Sequence, residues 1–252
     1  MSYWARPNEW RMFIVLKFEP SKSLLLDGER VKKNRVVCLV SGGIDSPVAC
    51  ALVAGRFDVV PLHFCLYPYT CEETFLLTMK VLKDLKSVVK FDKAIVYPWA
   101  KVMDAIMKNR EKRRYACLAC RKSMFKVAEI ICEREDAVGI VTGESMGQKA
   151  SQTLTNLGAT SKGIKFPILR PLLGLDKEEI EKISKKIGVW HEVHAGCCFA
   201  TPKYPRTRAE PKLLDDFVES TTIPDVLQWG FERVLETRTF EENFEEYLIS
   251  LA

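Results

Sequence analysis

The chain has 252 residues, 47% apolar and 28% charged, which suits one large α/β domain with appendages and excludes a disordered or fibrous protein. No apolar run nears the ~20 residues of a membrane-spanning helix, and the start, Met1 to Pro7, lacks the basic-then-apolar form of a signal peptide. With nine cysteines and no export signal, reduced thiols serving metal or catalysis are expected before disulfides, in a cytoplasmic protein with no membrane partner. The net charge of +5 is uneven. Residues 211–252 carry −7 and residues 1–210 carry +12, so the basic body is compatible with a polyanionic substrate.

In chain order, residues 1–33 read as an N-terminal arm with one strand candidate, Met12–Phe18. From Asn34 strands alternate with helices. Strands are expected at Val36–Val40, Val59–Leu66, Lys93–Tyr97 and Ala137–Thr142, and helices at Pro47–Ala54, Glu72–Lys86, Trp99–Met107 and Leu118–Arg134. This alternation predicts a doubly wound, mostly parallel sheet covered on both faces, with ligands at the carboxyl ends of its strands. A later helix, Asp176–Ile187, opens with an Asp176/Glu179 capping box and stops at Gly188. The α/β domain is expected to span residues 34–208. Residues 209–252 read as an acidic extension of two or three helices, packed through Leu213, Leu214, Phe217, Val226, Leu227, Phe231 and Leu235.

The run Ser41-Gly42-Gly43-Ile44-Asp45-Ser46 falls between the first strand and its helix. Ser46 is expected to cap that helix, Pro47 to suit its first turn, and Gly55 to end it in a left-handed residue. Bare N–H groups and a positive helix end collect phosphate there, without the Lys of a Walker A loop. Strand, loop and helix resemble the pyrophosphatase loop of enzymes that split ATP into AMP and pyrophosphate. A second run, Thr142 to Thr153, follows a strand and so reaches the same sheet edge, where Glu144 could help hold Mg²⁺. A third, Leu169 to Lys177, sets a cation at a helix start, which is unfavourable unless an anion sits nearby.

Taken with Cys197-Cys198-Phe199-Ala200-Thr201-Pro202, these runs resemble the tRNA 4-thiouridine synthetases, in that family's order, over roughly residues 34–208. The resemblance implies an adenine nucleotide alpha hydrolase-like fold and an ATP-dependent sulfurtransferase. Such an enzyme adenylates a uridine O4 and replaces the oxygen with sulfur. It further implies that Ser41, Gly42, Gly43, Asp45 and Ser46 hold pyrophosphate and Mg²⁺. Gly143, Gln148 and Ser151 would border the nucleotide, Lys177 would stabilise the transferring adenylyl group, and sulfur would be handled at Cys197-Cys198. The sequence carries little ahead of the phosphate loop to match the family's tRNA-gripping region, and no rhodanese-like segment. A separate RNA-binding protein, free sulfide or another sulfur donor, and a homodimer are therefore open expectations.

Cys117-Leu118-Ala119-Cys120 opens a helix beside Arg114, Arg121 and Lys122, where thiolates are expected to be favoured. Alone it reads as a zinc half-site, a redox pair or two buried thiols. With Cys197 or Cys198 it could ligate an iron–sulfur cluster, 3Fe-4S or 4Fe-4S, as in related tRNA-thiolating enzymes; a metal-free persulfide relay is the alternative. Cys38, Cys50 and Cys132 read as buried apolar residues, and Cys65 and Cys71 as structural before functional. The basic cluster from Lys108 to Lys126, followed later by Lys203, Arg206 and Arg208, points to an RNA backbone. His63 reads as a strand residue, and His191 and His194 as substrate contacts at most. Two other classes stay open: a pyrophosphatase-loop enzyme thiolating or amidating a small molecule, and a non-enzymatic nucleotide or redox sensor.

Overall fold

The computed structural model describes residues 33–192, 196, 198–219 and 222–251. The Met12–Phe18 strand candidate lies outside them. Valine-rich β1 (Arg35–Leu39), β2 (Asp58–Cys65) and β3 (Ala94–Pro98) run parallel, Val37 pairing Val60 and His63 pairing Val96. The chain then crosses to the other side of β1, where β4 (Ala137–Val141) and the two-residue β5 (Ile168–Leu169) continue the parallel set. The order β5-β4-β1-β2-β3-β6 reverses direction between β1 and β4, and that reversal opens a crevice at their carboxyl ends.

Both sheet faces are covered, and after Arg35 every position of β1 is apolar and buried. Val37 and Leu39 face one core with α3 (Ala100–Lys108), α4 (Ala116–Arg134), α7 (Pro211–Glu219) and α8 (Ile223–Phe231). Val36 and Cys38 face the other, with α1 (Asp45–Ala54), α2 (Glu72–Val88), α6 (Lys177–Ile187) and α9 (Phe244–Ile249). The short helix α5 (Leu154–Ser161) packs on α4 and α7. Trp99, fully buried at the end of β3, meets the Phe64 ring edge-on at 4.6 Å. Burying a side chain of this size contributes a few kcal/mol or less, about 1.5–3. Cys38, Cys50 and Cys132 are buried within these cores.

The residues after 209 are not a purely helical appendage. Leu235 lies in β6 (Leu235–Thr237), which pairs antiparallel with β3 and is pinned by Lys93, whose Nζ lies 2.8 Å from Glu236 and 2.9 Å from Glu135. Three residues are too short to show a strand period, so pairing with the free edge of β3 decides their conformation. The Tyr97 hydroxyl donates to the Leu227 carbonyl, and a Cβ on Gly230 would lie 2.3 Å from the Tyr97 ring, so only glycine lets α8 sit there. Leu213 is half-exposed, whereas Leu214, Phe217, Leu227 and Phe231 are buried.

Two helix ends differ from expectation. Gly55 is right-handed at φ −62°, and the turn closes instead through Arg56 and Phe57 N–H bonds to the Val53 carbonyl. Ser46 does not cap α1: Ile44 occupies the N-cap position with no side-chain hydrogen bond, and the Ser46 hydroxyl turns back to accept from the Ser41 N–H at 2.9 Å. The Asp176 capping box and left-handed Gly188, at φ 82°, stand as expected.

The loop after β4 meets the first turn of α1 backbone to backbone. A Cβ on Gly143 would lie 2.6 Å from Ser46 N and 2.8 Å from the Asp45 carbonyl carbon. Gly143→Ala should therefore destabilise the chain by about 1–3 kcal/mol, read from chemical denaturation, while Gly174→Ala, which meets open space, should not. Buried His63 lends Nδ1 to the Val40 carbonyl at 3.0 Å, and burial holds its pKa down at about 4. The unfolded chain protonates His63 first, so stability conferred by the neutral ring is present above pH ~6.5 and lost as pH falls towards 4. Wild type should lose about 1.4 kcal/mol more per pH unit than His63→Gln in that window, measured by urea unfolding.

Candidate functional site

The switch-point crevice is bounded by two loops: residues 41–46 after β1 and residues 142–153 after β4. In the first, Ser41 and Ser46 close on one another, their hydroxyls 3.2 Å apart, leaving Ser41 exposed and Gly43 half-exposed at the mouth. Asp45 begins α1. Burial pushes its carboxyl up, while Lys149 and Lys177 act to lower it. Both cations thus stand within electrostatic reach of Asp45, Lys149 from the second loop and Lys177 because α6 packs along α1. Lys177 is exposed, its nearest carboxylate being Glu181 at 3.8 Å. An anion does lie within electrostatic reach of that helix start, the Asp45 carboxylate of α1.

In the second loop, Gln148 is exposed and Ser151 half-exposed, while Gly147 turns the chain at φ 80°. Glu144 is not placed to hold Mg²⁺. It is buried, with one oxygen 2.8 Å from Arg170 Nε and the other 3.6 Å from Arg121 Nε, and Arg170 in turn donates to the Ser161 hydroxyl at 2.7 Å. Both oxygens face guanidinium groups, so Glu144 shapes the crevice wall.

Cys117 and Cys120 occupy the first turn of α4, and Cys198 lies within electrostatic reach of both. The expectation of favoured thiolates fails. Burial raises Cys117, and raises Cys120 to about 12, outweighing Arg121 and, at Cys117, Lys149. Trp99 Nε1 donates to the Cys120 sulfur at 3.2 Å, and the Thr201 side chain acts to lower the Cys117 thiol. Lys149 acts on both Asp45 and Cys117, which brings the phosphate loop and the thiols to one sheet edge. Cys197 and His194 lie outside the described residues. Among the described residues, no three His, Cys, Asp or Glu side chains converge to hold a metal ion. Cys65 is buried, and exposed Cys71 begins α2.

The basic residues divide. Lys108, Arg110, Arg113 and Arg114 are exposed, as are Lys203, Arg206 and Arg208. The two stretches are laced together, Arg114 Nε donating to the Tyr204 carbonyl at 3.1 Å and the Arg206 N–H to the Arg114 carbonyl at 2.9 Å. Lys122 leaves this face: it is buried, pairs with Asp215 of α7 and donates to the Lys162 carbonyl at 2.7 Å.

Sequence reasoning missed Lys149, Thr201, Trp99 and Asn156 as site residues. The first two stood inside quoted motifs, whereas Trp99 carried no local signal. Fully buried Asn156 donates to the Ala150 and Arg206 carbonyls at 2.7 and 2.9 Å and accepts from the Ala209 N–H at 2.8 Å. It ties the loop after β4 to the segment following Cys198.

Residues 31–223 match the family model described as "Thiamine biosynthesis protein (ThiI)". A "Probable tRNA sulfurtransferase" of Methanothermobacter thermautotrophicus is 35% identical over 82% of this chain and 54% of its own length. One of Methanocaldococcus jannaschii is 39% identical over 71% and 48%. A crystal structure of "a 4-thiouridine synthetase - RNA complex with bound ATP" superposes with a TM-score of 0.72 at 31% identity, covering 81% of this chain and 55% of that one. The sheet and its helices are thus the pyrophosphatase-loop fold. The chain spans about half the length of the relatives it matches, and it belongs to the ThiI family.

Proposed function

We propose that this chain is the ATP-dependent catalytic part of a tRNA sulfurtransferase that converts a uridine to 4-thiouridine. The observation that supports the reading is that Asp45 of the loop after β1 and the Cys117 thiol both lie within electrostatic reach of one cation, Lys149. A chemistry that activates with ATP and then delivers sulfur needs those two half-sites to be adjacent.

The phosphates of ATP would lie on the N–H groups of residues 41–46 at the positive end of α1, with Asp45 aimed at Mg²⁺ and Lys177 and Lys149 at the phosphoryl charge. Uridine O4 attacks the α-phosphorus and pyrophosphate leaves. Hydrosulfide then adds at C4, AMP departs with the former O4, and loss of the sulfur proton gives the thiocarbonyl. No electron is transferred in either step, so sulfide suffices as the donor. The protein contributes orientation and charge.

If an iron–sulfur cluster is bound, Cys117 and Cys120 would hold it with Cys197 or Cys198, and it would carry the sulfide. The thiol chemistry suits such a group, but the described residues do not complete three ligands by themselves. With thiols pushed up by burial, a resident metal would have to displace their protons. Iron analysis of anaerobically purified chain is the direct check.

The function is tested with the chain, ATP, Mg²⁺, sulfide and tRNA, reading AMP and thionucleosides by mass spectrometry. Asp45→Ala should lower AMP formation by roughly a hundredfold or more. Cys117→Ala should abolish 4-thiouridine while leaving nucleotide binding intact. AMP formation stimulated by a metabolite and indifferent to tRNA would overturn the tRNA assignment and favour a small-molecule thiolation.

A further inference from the structure

Between the turn at Arg113–Arg114 and residues 199–204 lies a groove of about 510 Å³, within the ~300–1,000 Å³ of small-ligand sites. Its lining includes Phe199 and Tyr204, 72% and 67% exposed. A single exposed aromatic ring is unremarkable. Here two such rings stand on one six-residue loop, among Arg113, Arg114 and Lys203, with no acidic side chain in the lining. The loop is held in place: the Phe199 N–H donates to the Tyr69 carbonyl at 2.8 Å, and Tyr204 is tied to Arg114. Thr201, in the lining, is near enough to Cys117 to act on its thiol. A second groove shares Met107 and Arg113 and continues past Lys108 and Arg110, with one carboxylate, Asp104, which accepts from the Tyr69 hydroxyl at 2.6 Å.

Exposed aromatic rings flanked by cations suit an unstacked nucleotide, and Lys203 Nζ itself stands 5.6 Å from the Tyr204 ring centroid. The ring stacks with any base, and the cations track the backbone. A duplex offers phosphates but no free base face. An acidic peptide would use the cations and leave the rings in water.

We propose that this groove receives the acceptor nucleotide of the RNA after it has left its stack, its base against Phe199 and Tyr204 and its flanking phosphates on Arg113, Arg114 and Lys203. The inference rests on the sulfurtransferase reading for the word acceptor, and the base is thereby set beside Cys117. Phe199 and Tyr204 are positioning residues for the base; neither takes part in bond making.

The test measures RNA binding apart from chemistry. The probes are a fluorescent uridine dodecamer and a blunt twelve-base-pair RNA duplex, read by anisotropy against the 252-residue chain. Phe199→Ala and Tyr204→Ala should each weaken the dodecamer ~10-fold and leave the duplex within about twofold, while Phe199→Trp keeps wild-type affinity. Lys203→Ala should weaken both probes and reduce the salt slope by about one. Melting midpoints should stay at the wild-type value, because both rings are exposed. Unchanged dodecamer affinity in both aromatic variants, equal losses on the two probes, or a wild-type chain that binds neither would overturn the groove. Discrimination between the probes by a chain that thiolates no tRNA would instead overturn the sulfurtransferase reading and leave the groove as a single-strand site.

Discussion

The site depends on one backbone contact, the seating of Gly143 against the amides of Asp45 and Ser46. The sheet order places the ends of β1 and β4 side by side, but adjacency alone leaves a gap of a side chain between the loops. With hydrogen in place of Cβ, the loop after β4 lies on the first turn of α1, and Lys149 comes within electrostatic reach of Asp45. The other supports are side-chain ties built outward from it. Arg170 and Arg121 clamp Glu144 at the back of the loop, and Asn156 fastens its far end to the segment that follows Cys198.

The thiol half of the site is governed by burial more than by charge. A helix start with neighbouring arginines argues for thiolates, yet burial raises both Cys117 and Cys120, even though the Trp99 N–H acts to lower Cys120. Desolvation of the thiolate exceeds what Arg121 and Lys149 return from partly exposed positions. Such thiols resist casual oxidation and need a specific agent, a metal or an incoming electrophile, to lose the proton.

Much of this was legible because the relevant signals are local. The alternation of strands and helices and the apolar run from Val36 point to a doubly wound sheet, the Ser41–Ser46 turn marks a candidate phosphate loop, and the family motifs lie in a recognisable order. What escaped the sequence was non-local. β6 exists only because β3 offers an edge. Glu144 reads as a metal ligand until two guanidiniums arrive from elsewhere in the chain, and Lys122 reads as part of a basic face until α7 covers it with Asp215. Trp99 and Asn156 are ordinary letters whose partners lie 21 and 50 positions away.

The tie between Tyr97 and Leu227 spans 130 positions, and β6 closes the sheet at a similar separation. During synthesis, the central strands emerge well before the helix and strand that cover their edge. Nascent chains therefore carry an uncovered β3, with its apolar Ile95 and Tyr97, until residues 223–237 have left the ribosome. The late acidic segment is then the step that shields this edge. A strand order so dependent on distant partners folds slowly for its size and invites chaperone attention at that stage.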